Sequence, residues 1–375
     1  MKKAFCIVLF IVLFAVPVYA SDALGMEEQL SASGAEALSG LLPDDANRLM
    51  DEAGVGEFGA EMLDGFTVES MLSAVVDQAA KESATPLRSL GIVLGILLFT
   101  MLLDSTKDTF SGASLRGTYN AVAALAMMTA IVLPVVACID RAAAVIEGAF
   151  VFTTAFVPVY AGVAIASGQV ITGASYNAVM FSISEIISGG AGSLMIPVVK
   201  SSLALSLVSA ITTKIKLAEI VNIIHKTIRW ALTFCMTIFV GVLGLSTAVS
   251  GAGDSVAVKS TRFVLGSFVP VVGGALSDAY SSVLGYVRVL KASVGAFGII
   301  AALCAFLPVI LEAVLWLLCL NLCSAVGGIF ENKAVESLMK AVCSAMQILL
   351  ALLLCCLTIL IVSTGILLAS GGGSA

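Results

Sequence analysis

The sequence predicts an all-α fold: a polytopic transmembrane helical bundle with about 8–10 membrane segments, some broken or re-entrant, and a short helical extracytoplasmic N-terminal region. Three observations predict it. Hydrophobic residues make up 59% of the 375, and charged residues 12%, half the ~25% usual in soluble domains. Mean hydropathy is +1.09. The apolar residues run continuously over helical lengths instead of alternating as in the strands of a membrane β-barrel. Lipid demands that each backbone polar group be satisfied within its segment, and a helix does this unaided.

Residues 1–20 read as a signal peptide. Lys2 and Lys3 form a basic start, residues 4–16 an apolar core, Pro17 breaks it, and small residues precede a cleavage point after Ala20. An uncleaved first span is the alternative, although the core is short against the ~20 residues that a ~30 Å bilayer needs. Either way the following segment is exported.

Residues 21–86 form that acidic extracytoplasmic helical region, with 14 acids against Arg48 and Lys81 alone. Pro43, Asp44 and Asp45 read as a helix start and Gly54 as a stop. An amphipathic helix follows. Val68, Met71, Leu72, Val75, Val76, Ala79 and Ala80 share one face, and Glu69, Ser70, Ser73, Asp77, Gln78 and Lys81 take the other. Thr67 caps its start and Thr85 with Pro86 closes it. The stripe either packs on the body of the same chain or serves as a partner-binding surface; both readings stand.

Residues 87–370 form the multispanning membrane domain, and 371–375 a flexible glycine-rich tail. The apolar segments are 89–103, 119–139, 146–166, 175–187, 194–211, 230–250, 263–277, 293–311, 313–330 and 341–369. Segments 175–187 and 263–277 are short, and whether they cross is open. With the N-terminal region outside and all ten crossing, Lys214, Lys216, Lys226 and Arg229 fall inside, as the positive-inside rule requires. The stripe Leu217, Val221, Ile224 and Ile228, ending at Trp230, predicts a helix lying along the inner leaflet.

Composition excludes several functions. No basic run is dense enough for nucleic acid, and no GxxxxGK[ST] loop is present for nucleotide hydrolysis. The nine cysteines lie in the leader and in apolar stretches, so they read as packing residues and not as disulfides. Cys319 and Cys323 share a helix face, but with His225 the lone histidine no metal site or cofactor is expected, and Ser-His-Asp chemistry has little to draw on. His225 itself reads as part of the cationic membrane-surface helix.

Two features point to a pathway. Residues 156–162 and 268–274 are close copies, each with a proline followed by small residues: Pro158 and Gly162, then Pro270, Gly273 and Gly274. Broken helices at matching places in two halves mark the central site of many transporters; coincidence in a valine-rich chain is the plainer explanation. Ionisable residues inside apolar runs are costly. Glu185 and Lys200 sit on neighbouring segments that an antiparallel turn would bring together, as a polar lining or as a buried pair fixing register. Glu312 interrupts a long apolar run, as a tight external turn or a buried acid.

The stretches FVPVYAGVAIASGQ (156–169) and STAVSGAGDSVAVKSTRFVLGSFVPVVGGALSDA (246–279) resemble the signature segments of the stage III sporulation protein AE family of endospore-forming Firmicutes. The resemblance covers most of residues 87–370. It implies a multi-pass membrane protein of the mother cell, in the outer forespore membrane. It implies membership of a channel complex that joins mother cell to forespore and that late forespore gene expression requires. The implied partners are co-encoded, among them a cytoplasmic ATPase and ring-forming proteins. On that basis the chain is a non-enzymatic subunit. A self-sufficient secondary transporter and a membrane assembly scaffold are the rivals.

Overall fold

The computed structural model describes residues 35–55, 68–105, 113–187, 194–211, 217–268, 273–329 and 333–370. The proposed signal peptide, Thr67 and Pro270 lie outside them. Among the described residues the fold is helical throughout: a short 3-10 helix, Ala35–Leu41, then α1 (Asp44–Glu52), α2 (Val68–Ser105), α3 (Ala113–Ala166), α4 (Val170–Ile187), α5 (Ile196–Ile211), α6 (Leu217–Phe268), α7 (Gly273–Ile329) and α8 (Lys333–Ala369). Five of these, α2, α3, α6, α7 and α8, are long and apolar enough to cross a membrane, which makes the chain a multi-pass membrane protein.

The helices are longer than the ten segments read from the sequence. Segments 119–139 and 146–166 are one helix, α3, and 293–311 and 313–330 are one helix, α7. At 57 residues α7 rises ~85 Å, well over twice a hydrocarbon core. The local chemistry explains the continuity. Between Val135 and Gly148 the sequence has no glycine, proline or asparagine, so nothing there favours a turn over another helical residue. The charges that resemble turn residues are satisfied across helices, as the next subsection shows. Segment 263–277 divides between the end of α6 and the start of α7, and 175–187 belongs to α4. Nor does Pro86 close the amphipathic helix: α2 runs through it to Ser105. Proline removes one backbone bond, and the packing of α2 along α7 holds the helix across the gap.

α7 is the axis of the molecule. It packs against α1, α2, α3, α6 and α8. Its neighbours α3 and α8 run antiparallel to it: Phe152 meets Phe297 near the α3 C-terminal half, and Lys291 reaches Ser370 at the end of α8. α4 folds back along α3, with Tyr176 edge-on to Tyr160 at 5.9 Å. The reversal is a Schellman turn: Gln169 N–H donates to Ala164 O and Gly168 N–H to Ile165 O. Gly168 takes φ +87° there, which a side chain would resist.

Two glycines of α7 set its distance from α3. A Cβ on Gly295 or Gly298 would collide with the ring of Tyr160 or Phe156 respectively. These rings stack in file with Phe152 along α3 and form the buried aromatic core. α6 lies at the rim, 11% buried over its membrane-length window, and exposes Phe234, Ile238, Val242, Leu245 and Val249. The stripe Val221, Ile224 and Ile228 faces inward, so this segment is the first turns of α6 and does not lie along a leaflet.

The close approach at Phe156 generates a prediction. Gly298→Ala should destabilise the bundle by about 1–3 kcal/mol through overpacking, whereas Gly244→Ala, which meets nothing within 4 Å, should be neutral or slightly stabilising. Thermal unfolding of the two variants in detergent, followed by circular dichroism, checks the difference.

Candidate functional site: two polar layers a bilayer apart

Polar residues in the bundle gather at two levels. The first lies midway along α3. Arg141 pairs with Glu312 of α7, through both guanidinium Nε (3.0 Å) and Nη2. Glu312 is 1% exposed and also accepts from Trp316 Nε1 at 3.4 Å. Its neighbour Asp140 pairs with Lys200 of α5. Two residues along α5, Ser202 Oγ lies 3.1 Å from His225 Nε2 of α6. One turn further along α6, the exposed Trp230 and Phe234 rings stack at 5.3 Å beside the exposed Lys226 and Arg229. Neither cation has an ion-pair partner among the described residues.

The second level lies at the α3–α4 turn. Asp254 of α6 is 4% exposed, and its carboxylate accepts the backbone N–H groups of Ile171 (2.8 Å) and Thr172 (2.9 Å). These are free donors of the α4 N-terminus, so a carboxylate from another helix serves as its cap. Gly253 permits this, since a Cβ there would strike Ile171 Cδ1. Lys291 of α7, 2% exposed, donates to Gln169 Oε1 at 2.6 Å and to Ser370 Oγ at 3.4 Å. Hydrogen bonds to two neutral oxygens and the attraction of the nearby Asp254 carboxylate compensate this buried ammonium.

The separation of the layers has meaning. Lys291 and Glu312 bound a charge-free stretch of 20 residues in α7, and Arg229 and Asp254 bound one of 24 in α6. At 1.5 Å per residue these are ~30 and ~36 Å, the hydrocarbon thickness plus a margin of headgroup. Tryptophan with adjacent lysine and arginine is the composition of a membrane interface, and it occurs at the first layer. Beyond that layer α8 exposes Lys340, while α2 exposes Leu98 and Phe99, α3 Val122 and Leu125, and α7 Leu318 and Leu322, so apolar surface continues past it. The charge-free stretches between the layers therefore have the length of a hydrocarbon core.

The residues singled out from sequence fare differently. Glu312 is a buried acid within a helix, and the turn reading falls because Arg141 neutralises it in place. Glu185 and Lys200 do not meet: Lys200 is engaged by Asp140, and Glu185 is exposed near the end of α4. Pro158 and Gly162 lie exposed in an unbroken stretch of α3. Pro270 lies outside the described residues; Gly273 opens α7 and Gly274 is exposed. In the amphipathic stripe Val76 is 58% exposed and Val75 half-buried. The buried line on α2 is instead Ala74, Gln78, Pro86, Ser89, Val93 and Leu97. The side chains of Val68, Met71 and Leu72 are outside the described set. His225 is 2% exposed and faces the bundle interior, not the membrane surface.

Sequence reasoning misses Asp140, Arg141, Asp254, Gln169 and Lys291. The rule that finds Glu312, a lone ionisable residue against an apolar run, applies equally to Asp254 and Lys291.

A sequence profile of the family described as stage III sporulation protein AE matches residues 57–371. A curated relative, "Stage III sporulation protein AE" of Bacillus subtilis (strain 168), is 22% identical over 239 residues, 64% of this chain and 60% of the relative. The chain thus aligns with less than two thirds of that protein's length. No solved structure matches. Both layers and the turn between α3 and α4 fall inside the matched region.

The ion pair makes a thermodynamic cycle. Arg141→Leu strands a buried carboxylate and should cost about 2–3 kcal/mol, less than the ~3–5 of a fully buried pair because the guanidinium is half exposed. Arg141→Leu with Glu312→Leu should recover most of it. Unfolding midpoints in detergent and protein abundance in the membrane check both.

Proposed function

The chain belongs to the stage III sporulation protein AE family, and from that premise we propose that it is a non-enzymatic membrane subunit of a channel complex joining mother cell and forespore. The observation that carries the proposal is the extent of the family match, which takes in all five membrane-length helices. A role in sporulation follows from the family. The conduit, its place in the outer forespore membrane and its partners are the finer reading: a cytoplasmic ATPase to supply energy and ring-forming proteins to extend the passage outside the membrane.

The chemistry of the chain is compatible with this division of labour. Arg141 with Glu312 and Asp140 with Lys200 are spent on each other, and Asp254 on a helix terminus, which suits structural registration better than turnover. With Lys226 and Arg229 at the first layer, the positive-inside rule makes that layer cytoplasmic. The second layer then faces outward, and α2 runs from that side toward the first layer, as an exported N-terminal region requires. An ATPase would meet the first layer and ring proteins the second. The rival transporter reading draws its site from a Glu185–Lys200 pair, and Lys200 is committed to Asp140. The scaffold reading keeps one observation in its favour, the exposed Val76 on α2.

Gentle purification of the tagged chain from sporulating cells tests the proposal. Co-recovery of the ATPase and ring proteins in fixed proportion is expected. Recovery as a lone, discrete oligomer, with crosslinking finding no partner, would overturn it in favour of a self-sufficient transporter. Val76→Asp separates the scaffold reading, which requires that partner capture be lost while the bundle stays folded.

A further inference from the structure

The helix α4 turns its polar side inward. Its buried side chains are Thr172, Tyr176, Met180 and Ser184, one turn apart along a single face, and all but Met180 carry a hydroxyl. Its exposed side carries Val170, Ile171 and Phe181. An amphipathic helix in water does the reverse. In a membrane protein, inward polar groups pair with other protein groups or line a hydrated cavity.

Pairing within the protein accounts for little of this face. Among the described residues neither Thr172 Oγ1 nor the Tyr176 hydroxyl has a hydrogen-bond partner, although Thr172 and Tyr176 are 1% and 2% exposed. The Tyr176 hydroxyl lies beside Ser363 and Thr364 of α8 but out of bonding geometry with both. A buried polar group left unpaired is costly, and ordered water is a usual remedy in native proteins.

Two cavities open on the same face. Tyr176 and Met180 wall the first, with Thr153 of α3 and with Ser363 and Thr364 of α8. Met180 and Ser184 wall the second, with Thr153 and with Phe306 of α7. They share Thr153, Met180 and Leu360, and so lie end to end. The centre of a water molecule has about 10 Å³ in the first and about 20 Å³ in the second. One water needs ~10–15 Å³.

The hydrogen-bond roles also match water. Thr153 donates its proton to Ala149 O at 2.6 Å, and Ser363 and Thr364 donate theirs to Leu360 O at 2.9 and 2.8 Å. Their oxygens therefore have only lone pairs left to offer, whereas Tyr176 still has a proton to give. A molecule between them must accept one bond and donate two, as water does. No carboxylate is among the described walls, so a metal cation would lack a counter-charge there, and an anion would meet three acceptors.

We infer that the buried face of α4 binds a file of two ordered waters. The first bridges Tyr176 to Thr153 and to the hydroxyls of α8, and the second bridges Thr153 to Ser184. Thr153 joins them because its oxygen keeps two lone pairs. The site is independent of the channel-subunit reading and of the depth of any helix in the membrane. One water wide, it admits no larger solute.

Hydroxyl-radical footprinting tests the site in the full-length chain in isolated membranes. X-ray pulses split water, the radicals oxidise the side chains beside it, and mass spectrometry locates the oxidised residues. Met180, 1% exposed, is compared with Met127, Met339 and Met346, which have the same side chain and are 1%, 0% and 0% exposed. Met180 touches both cavities and the other three touch neither. The expected result is oxidation of Met180 and Tyr176 without oxidation of the three comparison methionines. Oxidation of Met180 no faster than theirs, whether all are slow or all are fast, overturns the proposal. Tyr176→Phe supplies a second readout and removes a single oxygen, so the chain still folds. Losing a bridged water lowers the unfolding midpoint in detergent, which is the expected outcome. An unchanged or raised midpoint overturns the proposal too, because the hydroxyl was then a buried donor with nothing to bond.

Discussion

The pairing of Arg141 with Glu312 is the constraint on which the bundle depends. α3 and α7 are two helices of more than fifty residues packed antiparallel through apolar surface. Apolar contact alone does not fix how far one slides along the other, because a shift by one turn replaces one aliphatic contact with another. A carboxylate 1% exposed permits no such freedom. Displaced by one turn it would lose the guanidinium and lie unpaired among apolar side chains, at a cost of several kcal/mol. A buried ion pair is weak evidence for net stability and better evidence for register. Once the register is set, Phe156 falls opposite Gly298 and Tyr160 opposite Gly295, the two places where α7 offers room for a ring. The same level then receives Lys200 through Asp140, and so positions α5.

The second layer closes the frame by a different route. The α3–α4 turn leaves backbone donors at the start of α4 with no partner in their own helix. In a soluble protein water would take them. Here Asp254 of α6 takes two, and the glycine before it lets α6 approach. Lys291 is drawn to Gln169 at the same turn, so α4, α6, α7 and the end of α8 meet at one point. Both stretches that carry the family resemblance, 156–169 and 246–279, contribute to this junction. Their shared role is therefore readable as geometry: one supplies the turn and the other its cap.

Much of this is legible in the sequence, and the illegible part has a common cause. Composition and apolar run length determine the helical membrane class, and Pro43 with Gly54 correctly bracket α1. The breaks between segments are misplaced wherever a charge stands in for a turn. Asp140, Arg141 and Glu312 look like loop residues in one dimension because their partners lie 60 and 171 positions away. The α2 stripe misleads for a related reason. Helical periodicity identifies an apolar face, but in a membrane protein the apolar face is not necessarily the packed one. The first half of α2 buries the small Ala74 and the polar Gln78 and leaves Val76 outside, while Val93 and Leu97 are buried in its second half. An apolar stripe marks the packed face only where water is the sole alternative to the core, and a bilayer supplies a second alternative.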